Sequence, residues 1–315
     1  MKINTVAIIG VGAVGSYFLW GLSEKFGENL WVVAEGERKD RLQEHGICIN
    51  GTVFRPDIRT PKEAFGVDLI LVAVKYDGLP SAVDEMKRMT AEHTVIMSLL
   101  NGVDSEEIIG REIGSGHVIP SLIKIASRRV GSQVTFNPKM TFGVSFGETD
   151  GNRCEARVKA IAEAFDGTPL HYRISEDIMK EIWYKFAFNV GMNLPQAILN
   201  CGIGAYVDSE HVAHLRICLR NEVAAIAAAK GIDIAEWSEL EKMKHPSPPQ
   251  ARYSTLQDLD EGRHTEIEMF SGAVVRMGRE LGIPTPYNDF SYHAIKALEE
   301  KNDGKFDYAP QNGIA

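Results

Sequence analysis

Cysteine is scarce in this chain, and the few present are scattered. The four of them (Cys48, Cys154, Cys201 and Cys218) show no C-x-x-C spacing. That excludes a disulfide framework or a cysteine zinc site as the organising device and points to a reducing compartment. The nine histidines do not cluster either. His211 and His214 stand three apart on an expected helix with no third ligand, so no metal site is expected. Positive charge is also short: 34 Lys and Arg against 43 Asp and Glu give a formal net charge of −9. Local pairs such as Arg38-Lys39 and Arg128-Arg129 make no basic face, and a nucleic-acid partner needs one. No uncharged apolar run reaches membrane-spanning length. The first strand begins almost at Met1 with no export signal before it, so a cytoplasmic location and no membrane partner are expected. What remains, 44% apolar and 24% charged residues, is ordinary for a globular protein, and 315 residues are enough for two cores.

The first half alternates strand and helix. Thr5–Ile9 is a short apolar run that feeds Gly10-Val11-Gly12-Ala13-Val14-Gly15, and a helix from Ser16 to Lys25 follows. A G-x-G-x-x-G between a strand and a helix is the fingerprint of a dinucleotide site. The first glycine allows a tight turn, the second lets backbone approach a pyrophosphate, and the third lets helix pack on strand. The second strand, Leu30–Ala34, ends at Glu35, where an acid takes the adenosine ribose hydroxyls and repels a 2′-phosphate. Arg38 and Lys39 follow closely and can receive a phosphate, so NAD(H) and NADP(H) both stay open. Val67–Val74 and Thr94–Leu100 read as buried parallel strands whose carboxyl ends carry Lys75 and Asn101. Ligands of open α/β sheets bind at such ends, although Asn101-Gly102 is equally a turn pair. His117–Ile119 and Gly143–Gly147 are expected to continue the sheet. A helix from Arg153 to Phe165 and a strand near Pro169–Arg173 close it.

From Ser175 onward the pattern is helical. Glu181–Asn193, read as a helix, puts Lys185, Asn189 and Asn193 in one stripe at i, i+4 and i+8 among Ile182, Trp183, Phe186 and Phe188. A cation and two amides in that neighbourhood need partners. The plain alternative is a Glu181–Lys185 pair on a solvated face. This helix is expected to kink or end near Pro195 and to stop around Cys201-Gly202. Further helices are expected over Ser209–Lys230 and Ala235–Lys244, and the run His245–Pro249 breaks the chain. Beyond it, Glu266 is expected in the first turn of a helix to Leu281, where a carboxylate suits the helix dipole alone. Asn288 is expected to cap the last helix, to Lys301, with a loose tail beyond it. Tyr292 and Lys296 fit the Tyr-x-x-x-Lys spacing of short-chain dehydrogenases, but in a terminal helix the pair reads as surface neighbours. The fold class is α/β: an N-terminal Rossmann dinucleotide-binding domain over residues 1–173 and an all-helical domain over 174–315.

With these residues in view the chain resembles the ketopantoate reductase (2-dehydropantoate 2-reductase) family almost from end to end. The most specific parts are Trp183-Tyr184-Lys185 with Asn189 and Asn193, and Ser254-x-x-Gln257-Asp258 followed by Arg263-His264-Thr265-Glu266-Ile267. Val74-Lys75 and Leu100-Asn101-Gly102-Val103 also match. The resemblance implies an active site in a cleft between the two domains. It makes Lys185 the general acid that protonates a carbonyl oxygen as hydride arrives, and Glu266 the carboxylate that bonds the substrate hydroxyl. It makes Asn189, Asn193 and Ser254 substrate-holding, and places Asn101 and Lys75 near cofactor and substrate. It implies NADP(H), with NAD(H) admitted because Glu35 stands where the family usually has an arginine. The implied reaction is reduction of a small-molecule 2-oxoacid, first of all ketopantoate to (R)-pantoate on the route to pantothenate and coenzyme A. Two other readings are a paralogue acting on a different branched 2-oxoacid and a non-catalytic nucleotide-binding regulator. A homodimer is left open. The chain departs from the family at Leu194-Pro195, where Pro-Leu is usual, and at Ile203, where a polar residue is common.

Overall fold

The computed structural model describes residues 1–131, 133–149, 151, 155–235 and 248–306, with only the backbone described at 128–130. Cys154, nearly all of the expected helix Ala235–Lys244, His245–Ser247 of the proline-rich break and the tail beyond Phe306 lie outside the described residues. The chain divides into two compact units, Met1–Ile182 and Trp183–Ala315.

The first unit is built on short apolar strands. Thirteen occur among the described residues: β1 (Val6–Ile9), β2 (Leu30–Val33), β3 (Ile47–Ile49), β4 (Thr52–Phe54), β5 (Asp57–Arg59), β6 (Leu69–Val72), β7 (Val95–Ser98), β8 (Val118–Ile119), β9 (Ser121–Lys124), β10 (Ser127–Val130), β11 (Gln133–Phe136), β12 (Gly143–Phe146) and β13 (Tyr172–Ile174). Six form a parallel sheet in the order β5-β2-β1-β6-β7-β8. Renumbered within that sheet the order is 3-2-1-4-5-6, the doubly wound arrangement whose switch point lies between β1 and β6. Both faces of such a sheet are covered away from its edges, so inner strands such as β1, β2 and β6 are apolar at every position rather than at alternate ones. Val6 and Ile8 enter one core with Phe18, Leu19 and Leu22 of helix α1 (Ala13–Phe26). Ala7 and Ile9 enter the other with Leu79, Val83 and Met86 of helix α3 (Leu79–Met89), helix α2 (Gly36–His45) lying between the two in sequence. Each large side chain so enclosed is worth about 1.5–3 kcal/mol. Helices α4 (Ser105–Ile113) and α5 (Ala156–Phe165) complete the unit.

Gly143–Phe146 does not continue the main sheet. It is the centre of a separate three-stranded sheet, β13-β12-β9, antiparallel to Ser121–Lys124 and parallel to Tyr172–Ile174. A four-stranded sheet, β10-β11-β3-β4, has no counterpart among the expected elements. Its β3–β4 hairpin closes through Asn50-Gly51, both at positive φ (49° and 83°), with Ile49 opposite Thr52. That is the two-residue turn that an Asn-Gly pair favours.

The second unit is helical. Helix α6 (Ile178–Leu199) begins in the first unit and carries the chain into the second, and Pro195 lies inside it without ending it. Proline removes one backbone donor from the ladder. The next donor is rerouted: Gln196 N–H donates to the Tyr206 hydroxyl (3.2 Å), which in turn donates to the Met192 carbonyl. Tyr206 comes from the short helix α7 (Ala205–Asp208), and its buried hydroxyl closes the gap that would otherwise open in α6. Helix α8 (Glu210–Ala229) is capped by Ser209, whose side chain accepts from Val212 N–H. Helices α9 (Ser254–Asp260), α10 (Ala273–Leu281) and α11 (Pro286–Asn302) follow. Asn288 lies inside α11 and does not cap it. The cap comes from Glu222 of α8, whose carboxylate accepts from the backbone N–H groups of Tyr287 (2.8 Å) and Asn288 (2.9 Å) and from the Asn288 amide (2.7 Å). A carboxylate at a helix N-terminus meets orphan donors and the positive end of the dipole together.

Candidate active site

The glycine loop follows β1 at the switch point. A Cβ on Gly10 (φ 93°) would stand 2.7 Å from the Ala73 carbonyl oxygen, and one on Gly15 only 1.9 Å from that of Gly10. Neither position admits a side chain. Gly12, the residue before α1, faces open space, with no atom within 4 Å of an added Cβ. No side chain caps α1 and no acid stands in its first turn. The donors at its start therefore look out over a cradle that fits a pyrophosphate. Val11, Ala13 and Val14 supply the backbone between.

Glu35 follows β2, as expected for a ribose-facing acid, and its carboxylate is already engaged. Arg88 of α3 grips it with both terminal nitrogens (3.0 and 2.8 Å). The Arg88 hydrogen bonds hold the Glu35 carboxyl below the usual range, with Lys62 and Lys39 adding to the field. Arg38 is half-buried on α2 and lies within electrostatic reach of Glu85. Nothing in the local sequence identifies Arg88, because its place beside Glu35 depends on the packing of α3.

Lys75 is exposed just after β6, and Asn101 stands in the bend after β7. The two segments are tied together: Tyr76 donates to Asp104 (2.6 Å). The Asn101 bend is closed at its base by the hydroxyls of Ser98 and Ser105, 2.8 Å apart. Ser105 donates to Glu106 (2.8 Å). Burial pushes the Glu106 carboxyl up to about 7, against the lowering pull of Ser105 and of the backbone N–H groups of Glu106 and Ser121. Between about pH 4.5 and 7 the folded chain thus keeps a proton that the unfolded chain has lost. Stability then falls as pH rises through that window, by at most about 1.4 kcal/mol for each pH unit and about 3.5 kcal/mol in all. Denaturant melts at pH 5 and pH 8 check this. The wild type is expected to lose about 2 kcal/mol more between them than Glu106→Gln, and equal losses would mean an ordinarily hydrated carboxyl.

In the second unit the expected stripe forms. Lys185 and Asn189 are half-buried on α6 and Asn193 is buried. Glu181 gives its carboxylate to Arg173 and Ser175. Burial alone would raise the Glu181 carboxyl, but the bonds from Arg173 and Ser175 outweigh it and hold it low. Two other segments are packed on α6 beside the stripe. Phe188, next to Asn189, meets Tyr253 edge-on at 6.2 Å, immediately before the exposed Ser254. Phe186, next to Lys185, meets Phe270 at 6.2 Å. Phe270 lies in a wide π-type turn, Glu268–Gly272, that precedes α10.

Glu266 is therefore not in the first turn of an α-helix. It occupies the half-buried bend before that wide turn, where its carbonyl accepts from the N–H groups of Met269 (3.0 Å) and Phe270 (3.1 Å). Its segment is anchored by Glu299 of α11, which is 2% exposed and accepts from both the backbone N–H (2.7 Å) and the hydroxyl (2.6 Å) of Thr265. Burial would raise the Glu299 carboxyl, yet Lys296 and Thr265 together hold it below the usual range. Lys296 (2.8 Å to Glu299) and Tyr292 (2.6 Å to Glu268) are thus braces of this segment. Gln257 and Asp258 brace the neighbouring segment through the Arg252 carbonyl (2.7 Å) and Arg263 (2.8 Å). No group of three or more His, Cys, Asp and Glu side chains suited to a metal occurs among the described residues, and no helix there is long and apolar enough to cross a membrane.

Comparison with known proteins bears on both units. The family model described as ketopantoate reductase PanE/ApbA matches residues 6–150, and its C-terminal counterpart matches residues 177–299. A 2-dehydropantoate 2-reductase of Aquifex aeolicus is 26% identical over 300 residues, covering 93% of this chain and 96% of that one. An uncharacterised oxidoreductase of Bacillus subtilis, YkpB, is 24% identical over 298 residues, covering 93% of this chain and 98% of the relative. Among solved structures, a PanE/ApbA family ketopantoate reductase from Ralstonia eutropha superposes with a TM-score of 0.78 at 25% identity, covering 95% of this chain and 99% of the other. A D-mandelate dehydrogenase with NADH and anilino(oxo)acetate gives 0.80 at 25% identity with the same coverage. The glycine loop at the switch point, the polar stripe of α6 and these matches along both units place the chain in the ketopantoate reductase family, as an NAD(P)-dependent oxidoreductase.

Proposed function

We propose that this chain reduces a 2-oxoacid to the 2-hydroxyacid, with ketopantoate as the first candidate substrate. The observation that carries the reading is that the segments bearing Ser254 and Glu266 pack on α6 through Tyr253 against Phe188 and Phe270 against Phe186, residues that flank Lys185 and Asn189 in sequence. The bound nicotinamide supplies the hydride, and the residues around the Gly10–Gly15 loop, with Glu35, Arg38, Lys75 and Asn101, hold it. Lys185 donates the proton to the carbonyl oxygen and offsets the charge developing there, which a cation does best where water is scarce. Glu266 accepts from the resulting hydroxyl. Asn189, Asn193 and Ser254 hold the acid. Glu35 favours NAD(H), and the cations around it leave NADP(H) usable.

The test is a panel of ketopantoate, 2-oxoisovalerate and phenylglyoxylate, each followed by nicotinamide oxidation with NADH and with NADPH. Turnover of ketopantoate with the highest kcat/KM supports the reading, and no turnover of any acid with either nucleotide would falsify it. A second reading keeps the chemistry and changes the acid. Ile203 is apolar where the family commonly has a polar residue, Leu194-Pro195 reverses the usual Pro-Leu, and the D-mandelate dehydrogenase was solved with anilino(oxo)acetate. Phenylglyoxylate outperforming ketopantoate by tenfold or more, about 1.4 kcal/mol, would favour it.

A further inference from the structure

We infer that Gln196 is a positioning residue that sets where Ser254 stands relative to Asn189 and Asn193; the inference rests on the substrate-holding role proposed for Ser254. Gln196 lies on α6 one turn beyond Asn193 and is fully buried. Its amide nitrogen donates to the Ala251 carbonyl (3.0 Å), and its amide oxygen accepts from the Tyr253 backbone N–H (2.6 Å). One side chain thus takes the acceptor of residue 251 and the donor of residue 253, as a neighbouring strand would. That fixes both the register and the facing of the irregular segment that delivers Ser254.

The surroundings make this clamp rigid. Ala251 carbonyl also accepts from Ile203 N–H (3.0 Å), and Pro249 carbonyl from Gly204 N–H (2.8 Å), so the turn after α6 is bound into the same piece. There is no room for slack: a Cβ on Gly202 would lie 2.4 Å from the Pro249 carbonyl oxygen. On the other side the Tyr206 hydroxyl takes the Gln196 backbone N–H, which pins this residue where Pro195 has weakened the helix. A buried amide bonded through both its nitrogen and its oxygen specifies one geometry, whereas a buried N–H left without an acceptor is costly. An apolar side chain at 196 would leave the Tyr253 N–H without the acceptor Gln196 provides, and the segment would move to find another.

Two variants test the inference against Ser254→Ala as reference, using the acid turned over best in the panel above. Gln196→Leu is expected to raise KM for the acid about tenfold while kcat changes little. A merely structural role would instead lower the active fraction, and so the apparent kcat, at unchanged KM. Gln196→Glu retains both bonds when protonated, because the acid hydroxyl donates to Ala251 and its carbonyl oxygen accepts from Tyr253. Ionised, it turns a negative charge on the Ala251 carbonyl. Its KM is therefore expected to approach the wild-type value at low pH and to rise with pH, while the Gln196→Leu offset stays flat. If Ser254→Ala raises KM but Gln196→Glu shows the wild-type pH profile, the positioning role is overturned and the proposed function stands. If Ser254→Ala leaves KM unchanged, the reading on which the inference rests fails, and the inference with it.

Discussion

Replacing Lys185 with alanine is expected to lower kcat for oxoacid reduction by about 10²- to 10⁴-fold while nucleotide affinity stays as it was. Positioned proton donors contribute rate factors of this size, and the alkoxide formed by hydride arrival has no comparable donor among the residues assigned to hold the acid. Lys185 sits half-buried on α6, an element that continues past Pro195 with the Tyr206 hydroxyl bridging Gln196 and Met192, so its place is set by a helix and not by a loop. The glycine loop proposed to hold the nucleotide belongs to the other compact unit, so nucleotide affinity is not expected to follow the loss. Pre-steady-state reduction of the acid, with separate fluorescence titration of NADH, distinguishes the two effects. Lys185→Arg keeps the charge but, with a guanidinium that does not give up its proton, restores little of the rate. A Lys185→Ala enzyme within tenfold of wild type would remove this residue from the chemistry. A protein that only bound nucleotide would have no rate to lose.

Glu35→Arg is expected to shift the NADPH/NADH affinity ratio about 10- to 100-fold toward NADPH. A carboxylate after the second strand accepts from ribose hydroxyls and repels a 2′-phosphate, and an arginine there does the opposite with charge-assisted bonds of about 1.5–3 kcal/mol. The pair with Arg88 enlarges the expected change. In the wild type Arg88 is occupied by Glu35, and in the variant it is released beside a second arginine, so both can turn to a phosphate. The bond to Arg88 also keeps Glu35 ionised at any pH where such an enzyme is assayed, so a change in the wild-type ratio between about pH 6 and 8 would come from the 2′-phosphate, whose second pKa is about 6. Dissociation constants for both nucleotides, measured directly for each protein, settle the matter. An unchanged ratio would show that residue 35 lies away from the ribose.

The two halves of the chain differ in how much of them is legible without coordinates. Strands covered on both faces need unbroken apolar runs, so Val6–Ile9, Leu69–Val72 and Val95–Ser98 stand out, and the glycine loop identifies its own context. Which strand pairs with which is not written in such runs. Gly143–Phe146 falls in a different sheet from the one expected because a four-residue apolar strand looks the same in either. The Asn50-Gly51 hairpin does carry a signal, an Asn-Gly pair between two short β-type runs, and that signal alone could have located it.

In the helical half the stripe of Lys185, Asn189 and Asn193 follows from helical periodicity alone. The residues that hold the remaining segments do not. Glu222 caps a helix 65 residues away, Glu299 anchors Thr265 from 34 residues away, and Gln196 reaches across 57 residues to Tyr253. Long-range polar bonds of this kind leave no periodic trace. The seven-residue helix Ser254–Asp260 is too short to show one, and the wide turn Glu268–Gly272 departs from the α-helical spacing that puts Glu266 in a first helical turn. Lys296 shows the opposite failure. Its spacing from Tyr292 matches a catalytic pattern, and its partner is a buried structural carboxylate.

The proposed chemistry requires the α6 lysine and the carboxylate of residue 266 to reach the same oxygen, which becomes the hydroxyl of the product. A crystal structure of the enzyme with oxidised nucleotide and the 2-hydroxyacid product tests this most directly. Lys185 Nζ and a Glu266 carboxylate oxygen are both expected within about 3.2 Å of the 2-hydroxyl oxygen, Glu266 accepting its proton, with the nicotinamide against carbon 2. A hydroxyacid bound away from both side chains, with either of them turned to bulk solvent, would contradict it.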